Sequence, residues 1–151
     1  MNTDLGSSNA EISYDKTIPF VAPIEKGKVV KVYDGDTITI ASKLPYLSSP
    51  LYRFSVRLNG IDTPELRSKN SEEREMAEKA RDALKLRIMN KEVELKNRET
   101  EKYGRLLADV YCENLCINTW LINERFAVEY DGGKKIIPTS WKKYKETGEL
   151  K

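Results

Sequence analysis

Apolar positions along this chain recur with two different periods, and the switches between them mark out its elements. Residues 27–33 (GKVVKVY) place Val29, Val30 and Val32 in a first strand. Asp34-Gly35-Asp36 follows as a hairpin turn signal, an Asp-Gly pair flanked by β-branched runs. Residues 37–41 (TITIA) read as the return strand, and residues 42–50, with two prolines and three serines, as a loop. Residues 51–58 form a third strand that runs into VRLNGIDTPE, residues 56–65. There Val56, Leu58 and Gly60 alternate with Arg57 and Asn59, the period of a half-buried strand. The alternation predicts a strand that continues to Pro64, which cannot donate to a ladder and biases Thr63 toward extended backbone.

The period then changes. Met76, Ala80, Ala83, Leu84 and Ile88 make an apolar stripe at helical spacing, capped by Asn70 or Ser71 and stopped at Asn90. Residues 91–97 (KEVELKN) alternate again as a fourth strand, and residues 98–105 make a charged turn around Gly104. Residues 106–112 (LLADVYC) are a fifth strand, with Glu113-Asn114 as the next turn. Residues 117–125 predict a short helix with Asn118 as its cap, and residues 141–145 a last short helix. Residues 1–23, polar and punctuated by Pro19 and Pro23, are expected to be a flexible tail, with residues 24–151 a single domain. Three strands, a helix, two strands and a helix suit an α+β fold. The architecture expected is a small closed five-stranded barrel of the oligonucleotide-binding (OB) type with two to three helices.

Composition narrows the class. A chain of 151 residues has room for one domain with a core, and 33% charged against 39% hydrophobic residues is a globular balance. Net charge is only +2, so contact with nucleic acid requires local clusters such as Lys102, Lys134, Lys135, Lys142 and Lys143. Histidine is absent, which removes His-ligated zinc and Ser-His-Asp triads. Acid–base work then falls to Asp, Glu, Lys, Tyr or water. Cys112 and Cys116 are too few for a metal cage and are read as two reduced thiols, with a disulfide across the hairpin as the lesser alternative. Residues 1–20 show no basic start followed by an apolar run, and no stretch is long enough to span a membrane. The expectation is a soluble, cytoplasmic or intracellular monomer.

The carboxylates near Asp36 and Asp62, with no imidazole or thiolate beside them, are a hard-oxygen donor set. It suits Ca2+ or Mg2+ rather than zinc or copper. Asp36, Asp62 and the Thr63 carbonyl supply three oxygens, and Arg57 and Arg105 form a potential phosphate clamp. A cation and two guanidiniums match the charge that grows on a phosphodiester transition state. Glu65 is left to orient or deprotonate water.

VYDGDTITI (residues 32–40), VRLNGIDTPE (residues 56–65) and EKYGRLLADVY (residues 101–111) together resemble the staphylococcal (micrococcal) nuclease, or thermonuclease-like, family. The resemblance runs from about residue 27 to residue 128. It implies an OB barrel with three helices and a calcium-dependent, sugar-nonspecific endonuclease that leaves 3′-phosphate ends on DNA and RNA. By the same resemblance, Asp36 and Asp62 match calcium-binding aspartates and Thr63 a carbonyl ligand. Arg57 and Arg105 match catalytic arginines, and Glu65 matches the glutamate at the attacking water. Asp34 matches an acid behind the metal. Lys102 and Tyr103 match positions that contact the nucleotide phosphate. Tyr130 is the nearest match to a second nucleotide-stacking tyrosine, and reads equally well as a packing aromatic. Two departures stand out: a longer loop at residues 42–50, and a region after Asp131 that is shorter and less helical in pattern than the family's final helix. The rival reading is a catalytically silent OB module for binding nucleic acid or protein, as in Tudor-containing repeats. Such modules typically lose an aspartate, the glutamate or an arginine, and here Asp36, Arg57, Asp62, Glu65 and Arg105 are all present.

Overall fold

The computed structural model describes residues 11–151. Eight strands and three helices follow a short 3-10 turn at Tyr14–Lys16. The strands are β1 (Lys26–Asp34), β2 (Thr37–Lys43), β3 (Leu51–Leu58), β4 (Ile61–Asp62), β5 (Glu92–Thr100), β6 (Leu106–Cys112), β7 (Leu115–Cys116) and β8 (Val128–Glu129). The helices are α1 (Ser71–Ile88), α2 (Ile117–Asn123) and α3 (Trp141–Thr147). Antiparallel pairing joins β3, β2, β1, β5 and β6 in that order, and β3 then meets β6 in parallel at Val56↔Leu106 and Leu58↔Ala108. That last pairing closes the sheet into a five-stranded barrel of OB type.

Alternation builds the barrel interior. Strand β6 is buried at every second residue, Leu106, Ala108, Val110 and Cys112. Ile38 and Ile40 of β2, with Val56 and Leu58 of β3, face the same interior. Burying such side chains stabilises by roughly 1.5–3 kcal/mol each. Helix α1 covers one end of the barrel with Leu84 and Ile88, while Met76 packs with Val128, Trp141 and Tyr144 in a second cluster beneath α3. Asn70 caps α1, its side chain accepting from Glu73 N at 3.1 Å. Asn90 sits at φ 65° just past the helix, a left-handed stop that asparagine tolerates.

Four expectations need correction. The strand predicted to continue to Pro64 ends at Leu58. The chain turns at Asn59–Gly60, with Gly60 at φ 78°, and only Ile61–Asp62 resume pairing, now with β8. Gly60 is therefore a turn residue and not one more strand position. Within α1 the buried small residue is Ala77, whereas Ala83 is only half-buried. Asn118 does not cap α2: Cys116 holds that place, and Asn118 lies buried inside the helix. The charged turn at residues 98–105 is shorter than expected because β5 continues to Thr100. The third helix does form, starting at a Ser140 cap that accepts from Lys143 N at 3.1 Å.

The expected tail falls partly outside the described residues. Its last described segment is tied to β5: Thr100 Oγ1 donates to Phe20 O at 2.7 Å, and Arg98 Nη1 donates to Ala22 O at 3.0 Å and Ile24 O at 2.7 Å. Cys112 and Cys116 are free thiols. Among the described residues, no helix is long and apolar enough to cross a membrane.

Candidate active site

The β1–β2 hairpin delivers the first two carboxylates. Asp34 and Thr37 pair across its turn, and Asp36 N donates to Asp34 Oδ1 at 3.1 Å. The aspartate side chain thereby closes the turn itself, and neither Gly35 nor Asp36 needs a positive φ. Gly35 suits this place for a different reason. A Cβ there would stand 3.1 Å from both the Ala80 Cβ and the Thr63 Cγ2, so a neighbour would have to give by a few tenths of an ångström. The bare backbone lets the hairpin seat closely against α1 and Thr63.

Register brings in the arginine. Arg57 lies opposite Thr37 on the β2–β3 ladder, one residue from Asp36. Its Nη1 donates to Leu58 O at 3.1 Å and its Nη2 to Ile61 O at 3.0 Å, so the main chain of the Asn59–Gly60 turn fixes the guanidinium. The same Nη2 stands 3.4 Å from Asp36 Oδ2 and 3.7 Å from Asp62 Oδ1. The Arg57, Asp36 and Asp62 side chains keep only 16%, 12% and 7% of their exposure, respectively. A pair this enclosed is weakly screened and costly to break. Lys135 reaches in from the loop after β8, its Nζ 3.4 Å from Asp62 Oδ2.

Glu65 follows Pro64 at the rim. Its main-chain N donates to Glu73 Oε2 at 2.9 Å, and Ser68 Oγ donates to Glu73 Oε1 at 3.0 Å. Glu73 of α1 thus pins the loop that carries Glu65. On the far side, Gly104 at φ 88° turns the β5–β6 connection so that Arg105 meets Glu101. Arg105 Nε donates to Glu101 Oε1 and Nη2 to Glu101 Oε2, each at 3.2 Å, a two-pronged pair.

Electrostatics link these segments. Burial, followed by the Asp36 charge, pushes the Asp34 carboxyl up to about 7, with Glu65 contributing. Burial and then the charges of Asp36 and Asp62 raise Glu65, against the pull of Lys135. The hydrogen bond to Glu101 holds the Arg105 guanidinium proton more tightly, and the charges of Asp36 and Asp34 add to it. The Asp34 and Glu65 carboxyls, both facing the Asp36 charge, therefore hold their protons more tightly, as carboxyls crowded beside like charge do.

Whether this set fits a cation can be judged from its chemistry. Among the described residues, no three acidic or thiol side chains converge into a cage of their own. Two enclosed aspartates and a neighbouring carbonyl are a partial shell, of the kind that water and substrate oxygens complete for a hard divalent ion. The donors and their excess negative charge fit such an ion.

The remaining predicted residues are placed less uniformly. Tyr103 is 80% exposed on the β5–β6 turn, with Lys102 Nζ 5.7 Å from its ring centroid. Tyr130 is half-buried, its N donating to Gly60 O at 2.9 Å and Lys135 Nζ 5.5 Å from its ring. It lines a groove at the Asn59–Gly60 turn, and Arg105 lines a separate one. Glu73 and Glu101, which orient the Glu65 loop and Arg105, were not singled out from sequence. The spacing of Glu101 four residues before Arg105 was the available signal for one, and the capping pattern Asn70…Glu73 for the other.

Comparison with known proteins places the chain in a family. The family described as staphylococcal nuclease homologue matches residues 55–148, more than half of the chain. That span contains Arg57, Asp62, Glu65 and Arg105, while Asp34 and Asp36 precede it and enter through the β2–β3 ladder. An uncharacterized protein of Bacillus anthracis is 30% identical over 132 residues, 83% of this chain and 58% of that protein. The thermonuclease of Staphylococcus hyicus is 31% identical over 102 residues, 66% of this chain and 56% of the enzyme. Protein ParB of Escherichia coli is 34% identical over 87 residues, 57% of this chain and 41% of that protein. The chain therefore spans little more than half the length of the first two and about two fifths of the third. By the extent of the family match and the barrel that carries it, this chain belongs to the staphylococcal nuclease homologue family.

Proposed function

We propose that the chain is a calcium-dependent phosphodiesterase, a sequence-tolerant endonuclease acting as a monomer on DNA and RNA and leaving 3′-phosphate ends. One observation supports it above the others. Arg57 contacts both Asp36 and Asp62 in an enclosed site, with Glu65 and Arg105 within reach of the same electrostatic field.

Asp36, Asp62 and the Thr63 carbonyl would hold the cation, with Asp34 behind them; Mg2+ is the alternative to Ca2+, since both take oxygen ligands. When bound, the cation supplies Lewis-acid stabilisation of the phosphate. Arg57 turns part of its hydrogen bonding from the two aspartates toward a phosphate oxygen, while its bonds to Leu58 O and Ile61 O keep it oriented. Arg105 binds the same phosphate from the opposite turn. Two guanidiniums in an enclosed site offset the charge that grows on the equatorial oxygens as the diester opens. Glu65 orients the attacking water and takes its proton as the water oxygen bonds to phosphorus and the P–O5′ bond breaks, the 5′-oxygen leaving with a proton from solvent water. The raised proton affinity of Glu65 brings the carboxylate nearer the range in which a base both accepts and releases a proton. Lys102, Tyr103 and Tyr130 contact the flanking nucleotide.

The test is cleavage of single- and double-stranded DNA and of RNA across a metal series, with chelator and Glu65→Gln as controls. Calcium-dependent cutting that stops with chelator and drops sharply in Glu65→Gln is expected. A pure preparation that leaves all three substrates intact under every metal overturns the reading. Binding without cleavage would identify a silent OB module instead.

A further inference from the structure

The loop between β2 and β3, residues 44–50, projects from the end of the barrel opposite the site. Thr37↔Arg57 stands at the site end of the β2–β3 ladder and Lys43↔Leu51 at the loop end. Six residue steps of ~3.4 Å separate the two, about 20 Å. This is the loop by which the sequence is longer than the family pattern, and it takes no part in the site.

The loop is ordered by its own hydrogen bonds. Leu44 N donates to Ser49 Oγ at 2.8 Å, and Ser49 N donates to Tyr46 O at 3.0 Å. The buried Ser49 hydroxyl donates in turn to Pro50 O at 2.8 Å. The Tyr46 and Tyr52 hydroxyls share a hydrogen bond of 3.2 Å, and Tyr52 meets Phe54 edge-on with ring centroids 6.2 Å apart. Leu44 and Phe54 pack on the barrel core. Held in this way, the loop turns apolar side chains outward. Leu47 is 106% exposed, Leu51 65%, Tyr46 50% and Tyr52 40%. A loop bonded to itself has little freedom to fold these side chains back, so the apolar apex stays in water unless something covers it.

Charge decides what covers it. Residues 42–53 hold Lys43 and Arg53 and no carboxylate. At the root of the loop, a groove of about 510 Å³ gathers Lys26, Lys43 and Arg98 beside Pro45, against the single acid Glu25. Ser42 Oγ donates to Lys26 O at 2.7 Å, which ties β1 to this root. Glu94 of β5 stands opposite Lys26 on the ladder. Among the described residues, however, no acid lies within ion-pair distance of Lys26, Lys43 or Arg53. The result is layered: a leucine at the apex, tyrosines and their hydroxyls behind it, and cations at the strand ends. A bilayer with anionic headgroups has the matching order of acyl chains, a wet interface that suits tyrosine, and phosphates. The apex is also convex. A protein partner would need a cavity shaped to Leu47, whereas lipid chains close around any apolar tip.

We infer that the β2–β3 loop docks the chain on an anionic lipid surface. Leu47 enters the acyl boundary, Tyr46, Leu51 and Tyr52 lie among the headgroups, and Lys43, Arg53 and Lys26 meet lipid phosphates. The candidate site, at the other end of the ladder, then faces away from the lipid and stays open to its substrate. The inference does not depend on the nuclease reading.

The test is co-sedimentation of the full chain with sucrose-loaded vesicles, in chelator and at low salt. One set is phosphatidylcholine alone, and the other is phosphatidylcholine and phosphatidylserine in equal parts. Wild type is expected to bind the anionic vesicles well above the neutral ones, and less as salt rises. Leu47→Ser alters a fully exposed side chain, so it should melt as wild type and bind the anionic vesicles roughly tenfold more weakly. Lys43→Gln and Arg53→Gln should each weaken that binding about fivefold, the effect of one cation near the surface. Wild type that stays in the supernatant with both vesicles overturns the docking. So does a Leu47→Ser chain that binds as wild type does, because lipid contact would then lie elsewhere. Sedimentation velocity separates the protein alternative: self-association lost in Leu47→Ser, without vesicle binding, makes the occupant a second copy and overturns the lipid assignment.

Discussion

Arg57 and Asp36 sit on adjacent strands of one ladder, and the Arg57 Nη2 stands 3.4 Å from Asp36 Oδ2 while bonding the main chain at Ile61. The guanidinium is thus fixed from two directions. The ladder sets its height beside the hairpin, and the Asn59–Gly60 turn sets its angle. Twenty-one residues of sequence separate the two partners, and a single β-register removes that separation. The same register carries the hairpin carboxylates to Asp62, so the site depends on strand pairing more than on any one loop.

The crowding of carboxylates has a cost that depends on pH. Folding raises the Asp34 carboxyl from 3.8 to about 7, so the native chain keeps a proton there that the unfolded chain has lost. Stability then falls as pH rises from 3.8 toward about 7 and levels off above it. Glu65, also raised, acts in the same direction. Asp34 is partly open to solvent, which softens the effect. In chelator, the melting temperature of wild type minus that of Asp34→Asn should decline by a few degrees across this window, and added calcium should flatten the decline. A difference that is constant or rising with pH contradicts the crowded site.

Glu101 holds Arg105 through two hydrogen bonds of 3.2 Å on a half-exposed turn. A pair of this exposure contributes about 0–1 kcal/mol to folding. Glu101→Gln should therefore leave urea unfolding within about 1 kcal/mol of wild type. It should nevertheless slow cleavage by about tenfold, since a misplaced catalytic group costs rate and not stability. Equal losses in both measurements would make Glu101 a structural residue only.

Asn118 is the buried joint between the barrel and the Arg57 turn. Its Oδ1 accepts from Val110 N at 2.9 Å, and its Nδ2 donates to Asn59 O at 2.7 Å and Ala108 O at 3.3 Å. Asn118→Ala takes these partners from Val110 N and Asn59 O, while Ala108 O still accepts from Asn59 N at 2.9 Å, and should cost about 3 kcal/mol in urea unfolding. Asn118→Asp, which keeps the acceptor and loses the donor, should also destabilise. A loss below about 1 kcal/mol for the alanine variant would mean that other groups satisfy this turn.

Local pattern made the barrel legible. The strict alternation of residues 106–112 matches β6, the β-branched run at residues 37–41 lies within β2, and the stripe along α1 is buried except at Ala83. The resemblance made Asp36, Arg57, Asp62, Glu65 and Arg105 legible as a set, and their convergence follows from closure of the barrel. Illegible were features in which one residue satisfies two roles. Gly60 keeps the alternation of a strand but spends its freedom on a turn at φ 78°. Asn118 stands where a cap is expected, yet its amide is used across the barrel end at Asn59, 59 residues away in sequence. Lys135 and Glu73 reach the site through tertiary packing of a loop and a helix start, which no local period encodes.

Among the described residues, Arg57 alone pairs with both aspartates. The most direct measurement is the turnover of a short single-stranded oligonucleotide by Arg57→Ala in saturating calcium, with melting recorded alongside. A loss in kcat of a hundredfold or more is expected, about 3 kcal/mol of transition-state stabilisation. A folded Arg57→Ala chain that cuts within about threefold of wild type, less than 1 kcal/mol, would contradict it.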